Sequence, residues 1–187
     1  MEYNTDLLTH LLANLPCVFG SEIPYLRDIG KTFKSGTNVL MLGTSSGQMA
    51  LLMHLGAREN YTEPYPAKMF NFYTVDWALN GTYETHMQHY GFDVGTVIAG
   101  TTWDVYTQFQ DEFFDFIIVD ACHWRQCVSL DIEAYWPKLR VGGLAFFHDW
   151  IKKETDNGVE EAINEHKDEN WVEVCRPGIS IVYRKTA

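Results

Sequence analysis

Residues Asn38 to Met49 read NVLMLGTSSGQM, a short apolar run that drives into a turn in which Gly43 and Gly47 bracket small hydroxyl residues. A buried strand that stops abruptly and opens into a helix leaves backbone N–H groups free at the turn. Glycines without a Cβ let a nucleotide-like ligand come close to them. The same Gly-x-x-x-Gly turn also serves as ordinary strand-to-helix packing, so the rest of the chain must decide. Some thirty residues on, NFYTVDW (Asn71 to Trp77) is a second β-rich run ending in Asp76. A carboxylate at the tip of a second strand is placed to accept the hydroxyls of a ribose, the alternative being a helix cap or a solvated loop acid. Ser45 stands where the dinucleotide fingerprint needs its second glycine, which disfavours a ligand with a pyrophosphate.

Downstream, apolar periodicity predicts strict alternation of helices and strands. Helices are expected at Pro24 to Phe33, at Gln48 to Leu55 with Gly56 ending it, and at Thr82 to Tyr90 closed by Gly91. Others are expected at Val105 to Gln110, Gln126 to Leu139 and Val159 to His166. Strands are expected at Val94 to Ala99, Phe114 to Val119 and Leu144 to Phe147, the last entered through a Val141-Gly142-Gly143 turn. Trp171 to Cys175 and Ile179 to Tyr183 flank Pro177-Gly178 as a closing hairpin. The expected fold is therefore α/β: a Rossmann-like seven-stranded, mostly parallel sheet with helices on both faces and a C-terminal antiparallel hairpin strand. One domain is expected over residues 1–187, with 1–37 as a helical cap or lid that includes Thr5 to Leu15, and 38–187 as the core. In such sheets ligands lie beyond the carboxyl ends of the strands, so Gly43, Asp76, Gly100, Asp120 and His148 should share one edge.

The 187 residues suffice for one full core, and a net charge of -11 without any Lys/Arg run disfavours a nucleic-acid partner. A small molecule or carbohydrate is easier to accommodate. No apolar run reaches the length of a membrane span. Cys17, Cys122, Cys127 and Cys175 are scattered, and the amino terminus lacks a secretory pattern, so a cytoplasmic location is expected. A homodimer is one expected assembly, with Trp136 or Trp150 either on its face or in the core.

The pattern resembles the class I methyltransferases that use S-adenosylmethionine. The likeness covers Asn38 to Arg184 and is most specific in FDFIIVDACHWRQCVSLDIEAYWPKLRVGGLAFFHDW, Phe114 to Trp150. There an Asp-x-x-His element, a later Asp, a Gly-Gly and a His-Asp follow in the order of a small-molecule O-methyltransferase subgroup related to catechol and macrolide-sugar enzymes. The resemblance implies that Gly43, Thr44, Ser45 and Gly47 surround the methionine end of the cofactor and that Asp76 takes its ribose. Thr101 and Thr102 would sit beside the adenine, with Asp120 also at the cofactor and Trp77 as an apolar wall on the ring. It departs at Met41, where the family usually carries an acidic residue.

Metal-dependent relatives hold a divalent ion, usually magnesium, at places matching Asp120, His148 and Asp149. The imidazole admits a softer ion such as Mn²⁺, or no ion if Asp120 contacts the cofactor or caps a helix. His123 is the candidate general base for an acceptor hydroxyl, alongside Asp120 as the second catalytic candidate. A helix-start histidine with a structural hydrogen bond is the competing reading. Asp131 lies two turns further along the same side of that helix and ranks below His123: it either buttresses the site or, as is more usual, belongs to a solvated face. Zinc at Cys122, His123, Cys127 and His148 matches no common knuckle spacing, and Cys122 is read as a core or pocket-wall residue. The expected activity is O-methylation of a small molecule or sugar. The alternatives are a non-catalytic cofactor-binding module and a nicotinamide-dependent oxidoreductase.

Overall fold

The computed structural model describes residues 20–66, 68–79, 81–151 and 158–187. Thr5 to Leu15 and Cys17 lie outside the described residues. The chain runs α1 (Glu22–Lys31), β1 (Asn38–Leu42), α2 (Gln48–Arg58), β2 (Asn71–Asp76), α3 (Thr82–His89), β3 (Thr96–Ala99) and the one-turn α4 (Thr102–Val105) with a 3₁₀ turn at Tyr106–Gln108. It continues through β4 (Phe114–Val119), α5 (Arg125–Tyr135), β5 (Leu139–Phe147), α6 (Gly158–His166), β6 (Trp171–Cys175) and β7 (Ile181–Lys185). The strands form one seven-stranded sheet in the order β3-β2-β1-β4-β5-β7-β6. Neighbours from β3 to β5 pair in parallel, and β7 runs antiparallel to both β5 and β6.

Because side chains alternate across a strand, each central strand feeds two cores. Val39, Met41, Phe116, Ile118 and Phe146 join the layer under α1, α2 and α3. Leu40, Leu42, Ile117, Val119, Ala145 and Phe147 join the layer under α5 and α6. Near-continuous apolar strands such as VLML and FIIV follow from this two-sided burial.

Two local readings differ from the structure, each because a tertiary contact overrides a local signal. Gly56 does not end α2. The helix continues to Arg58, and a Cβ on Gly56 would stand 1.9 Å from the Arg27 carbonyl oxygen, so this glycine lets α1 and α2 touch backbone to backbone. Gly30 makes the matching approach, its would-be Cβ lying 2.2 Å from the Met53 carbonyl oxygen. Helix α1 thus forms part of the core layer, clamped further by the Arg27–Glu59 ion pair. Val141-Gly142-Gly143 is not a turn but the middle of β5, where the pairing with β4 slips between Phe114 and Phe116. Of the two placements open for the tryptophans, the structure has the packed one: Trp150 is 9% accessible and packs under the Arg176 guanidinium, while Trp136 stacks on Trp171 with centroids 3.5 Å apart. Both tryptophans are packed against their own chain.

No helix among the described residues is long and apolar enough to cross a membrane.

Candidate active site at the carboxyl edge of the sheet

Hydrogen bonds one residue beyond the strand ends bring the candidate residues into line. The Gly43 amide donates to the Val75 carbonyl, Gly100 to Asp76, Asp120 to Leu42 and His148 to Val119, at 2.9 to 3.1 Å. The first residues after β1, β3, β4 and β5 thereby stand side by side with Asp76 at the end of β2. A cavity of about 380 Å³ opens there, in the range of small-molecule sites. Gly43, Ser45, Asp76, Trp77, Thr101, Thr102 and Asp120 line it, as do Val75, Gly100, Trp103, Ala121 and Cys122.

The bend after β1 is held by Asp76. Its Oδ2 accepts the Thr44 amide at 2.8 Å and the Ser45 amide at 3.2 Å, and its Oδ1 accepts the Ala78 amide at 2.8 Å. Three amides thus orient a carboxylate that has about four acceptor positions, leaving it partly available to the cavity. Gly43, Ser45 and Gly47 all have positive φ, 86°, 47° and 80°, which folds the bend back on itself. Thr44 is buried, its hydroxyl 2.6 Å from that of Thr74, and Gly47 abuts the Tyr83 ring. Neither lines the cavity; both shape the bend from behind. Met41 is buried in the core.

Thr102 lines the cavity, but its hydroxyl donates to Asp131 Oδ1, and its carbonyl accepts the Tyr135 hydroxyl at 2.8 Å. Asp131 is 1% exposed, which overturns its reading as a solvated residue. Burial pushes its carboxyl up to about 7, against the opposing hydrogen bond from Thr102. Trp77 is 80% exposed and Trp103 40%, so two indoles stand at the mouth with much of their surface uncovered.

Beside the cavity, Asp120, His123, His148 and Asp149 bring four potential ligand atoms within 4.8 Å of one another. His148 Nδ1 lies 2.9 Å from Asp120 Oδ1 and 3.7 Å from Asp149 Oδ2. His123 faces the same two acids, with Nε2 3.3 Å from Asp120 Oδ1 and Nδ1 3.2 Å from Asp149 Oδ2. Burial disfavours a charged His148, but the Asp120 and Glu22 carboxylates outweigh it and push the imidazole up to about 10. Burial would raise Asp120, and hydrogen bonds from His123 and His148 more than offset that, leaving its carboxyl below the ordinary range. Two carboxylates and two imidazoles converging so closely are a fitting donor set for a divalent cation. Asp120 belongs to both groups, lining the cavity and joining the quartet.

The sequence reading separated His123, as a base, from the other three; the structure places all four together. Cys122 lines the cavity, consistent with a pocket-wall role. Glu22 escaped notice, because a first-turn acid on an amphipathic helix reads as solvated or as a favourable charge at the helix start. Only its tertiary contacts reveal it.

A family model described as a methyltransferase domain matches residues 40–150, from the middle of β1 to just beyond β5. Comparison of the sequence with curated proteins gave no match. A protein from Corynebacterium glutamicum superposes with a TM-score of 0.73 at 13% identity, over 100% of this chain and 91% of that one. A Klebsiella pneumoniae protein described as a putative O-methyltransferase gives 0.70 at 16%, over 96% and 90%. A methyltransferase of Podospora anserina with bound S-adenosylhomocysteine gives 0.68 at 15%, over 98% and 88%. At these identities the likeness is one of fold.

Proposed function

The chain belongs to the methyltransferase-domain family, and from that premise we propose that it transfers the methyl group of S-adenosylmethionine to a hydroxyl oxygen of a small molecule or sugar. One observation supports the reading: a glycine-lined bend and the Asp76 carboxylate line one cavity at the carboxyl edge of the sheet, and Asp120 joins that cavity to the Asp/His quartet beside it. Gly43 and Ser45 would receive the methionine end, Asp76 the ribose, and Gly100, Thr101 and Thr102 the adenine side, with Trp77 and Trp103 closing over it. S-adenosylmethionine supplies the electrophilic methyl group. A divalent ion, Mg²⁺ or Mn²⁺, supplies positive charge that lowers the pKa of the acceptor hydroxyl.

The chain's own residues then position and deprotonate the acceptor. Asp120, His148 and Asp149 would hold the cation. His123, the most exposed of the quartet, stands at its rim and is the group placed to accept the hydroxyl proton. With Asp120 and Asp149 engaged by a cation, the His123 ring would be the group left to act as the base. Holding the acceptor oxygen in line with the methyl group, with charge fixed in advance around it, supplies most of the acceleration.

The test is transfer of a labelled methyl group from S-adenosylmethionine to a panel of vicinal diols, catechols and sugars, with Mg²⁺ or Mn²⁺ present. Label in an ether linkage, matched by S-adenosylhomocysteine release, is the expected result. Tight binding of S-adenosylhomocysteine with no transfer to any acceptor supports the non-catalytic binding module instead. NADH binding in its place supports the oxidoreductase.

A further inference from the structure

His148 follows β5 with its ring between two carboxylates distant from each other in the chain, Asp120 and Glu22. Nδ1 faces the quartet, 2.9 Å from Asp120 Oδ1. Nε2 faces the other way, buried, without a hydrogen-bond partner and 3.6 Å from Glu22 Oε2. Glu22 is 0% exposed, although it opens α1, and the Ser180 hydroxyl donates to its Oε1 at 2.5 Å. The turn before β7 wraps its stem, since a Cβ on Gly178 would lie 2.7 Å from Glu22 Cγ. The Gly178 amide donates to Ser21 Oγ at 2.7 Å, fixing the start of the helix on that turn. One carboxylate oxygen is thus occupied by Ser180, and the other is turned toward the back of His148.

Sequestering a carboxylate this completely costs free energy unless its surroundings recover it. Ser180 satisfies Oε1, and the His148 imidazole lies 3.6 Å from Oε2. An imidazole offers a lone pair to a cation through one nitrogen and carries its proton on the other. An acceptor behind the ring selects the tautomer and fixes the ring plane. Resting on the reading of the quartet as a cation site, we propose that Glu22 is its outer carboxylate. Glu22 holds His148 with the proton on Nε2, so that Nδ1 is presented to a divalent ion beside Asp120 and Asp149. It is a positioning residue: it touches neither acceptor nor cofactor and acts through His148.

The experiment is titration of Mn²⁺ into the full chain, read by electron paramagnetic resonance of the free ion, for the native protein and for Glu22→Gln. Binding is expected to weaken about 10- to 100-fold in Glu22→Gln. Affinity for S-adenosylhomocysteine, measured by calorimetry, stays within about twofold, well under the tenfold that corresponds to about 1.4 kcal/mol. In the Mg²⁺-loaded protein, ¹⁵N shifts of the His148 ring are expected to report a single Nε2–H tautomer, replaced by a mixture in Glu22→Gln. If Glu22→Gln does not fold, Ser180→Ala, which frees the carboxylate, must weaken Mn²⁺ binding in the same direction. Native-strength Mn²⁺ binding with an unchanged His148 tautomer overturns the role of Glu22 and leaves the quartet standing. Failure of the native protein itself to bind Mn²⁺ removes the quartet as a cation site, and the role of Glu22 with it.

Discussion

Gly43 faces Asp120 so closely that a Cβ on the glycine would stand 2.2 Å from the Asp120 carbonyl oxygen. The first bend and the fourth strand tip are therefore a single packed unit, and Gly43 also holds a φ of 86° that L side chains rarely adopt. Gly43→Ala is expected to cost about 1–3 kcal/mol in backbone strain alone and to push Asp120 out of place. Binding of S-adenosylhomocysteine should weaken by about tenfold or more, which is about 1.4 kcal/mol, on isothermal calorimetry. Unchanged affinity in a folded variant removes Gly43 from the cofactor site.

Asp76 binds the bend and is assigned to the ligand, so its loss should be felt twice. Asp76→Ala leaves the Thr44 and Ser45 amides without their acceptor. Hydrogen bonds to a charged group contribute about 1.5–3 kcal/mol each. The expected outcome is at least a tenfold loss of S-adenosylhomocysteine affinity together with a lower melting temperature. Asp76→Asn, which keeps one acceptor oxygen, should lose less of both.

Asp149 belongs to the quartet but not to the cavity lining, so its substitution tests the proposed cation site apart from the proposed cofactor site. Asp149→Asn should reduce turnover about 100-fold, equivalent to about 2.7 kcal/mol of barrier, while leaving S-adenosylhomocysteine affinity near the native value. Chelation should abolish turnover of the native protein, and Mg²⁺ or Mn²⁺ should restore it. Turnover indifferent to chelation retires the cation.

Asp131 gives a pH signature. Its carboxyl is raised from 3.8 to about 7 in the folded protein, so the native state holds a proton that the unfolded chain has released. Stability from this group is complete below about pH 4 and is lost as pH rises toward about 7, then is level above it. The loss amounts to at most about 4 kcal/mol, because each pH unit separating the folded from the unfolded value is worth about 1.4 kcal/mol. Melting temperatures of Asp131→Asn, recorded from about pH 4 to 8, should lack this decline. The same slope in native and variant proteins would assign it to other groups.

Fold class and most strand positions are legible in the sequence because burial on both faces writes itself into runs such as VLML and FDFIIVD. The candidate cavity residues are legible because they end those runs. What escapes is whatever depends on a distant partner. Gly56 carries a helix-ending signal, yet it sits where α1 crosses α2. Val141-Gly142-Gly143 has turn composition, yet the strand runs through it while the pairing with β4 slips there. Asp131 and Glu22 are acids in amphipathic helices, and nothing local distinguishes a buried acid from a solvated one. Thr102 and Ser180, which donate to them, lie 29 and 158 residues away in sequence.

The meeting of Glu22 with Ser180 also bears on how the nascent chain matures. Ribosomal synthesis releases the glycine bend and Asp76 early, but α1 has no hydroxyl to receive its buried acid until the closing turn emerges. Contacts spanning so much of the chain form late in folding. The surroundings of Glu22 and His148 are therefore completed only once the last turn of the chain is in place.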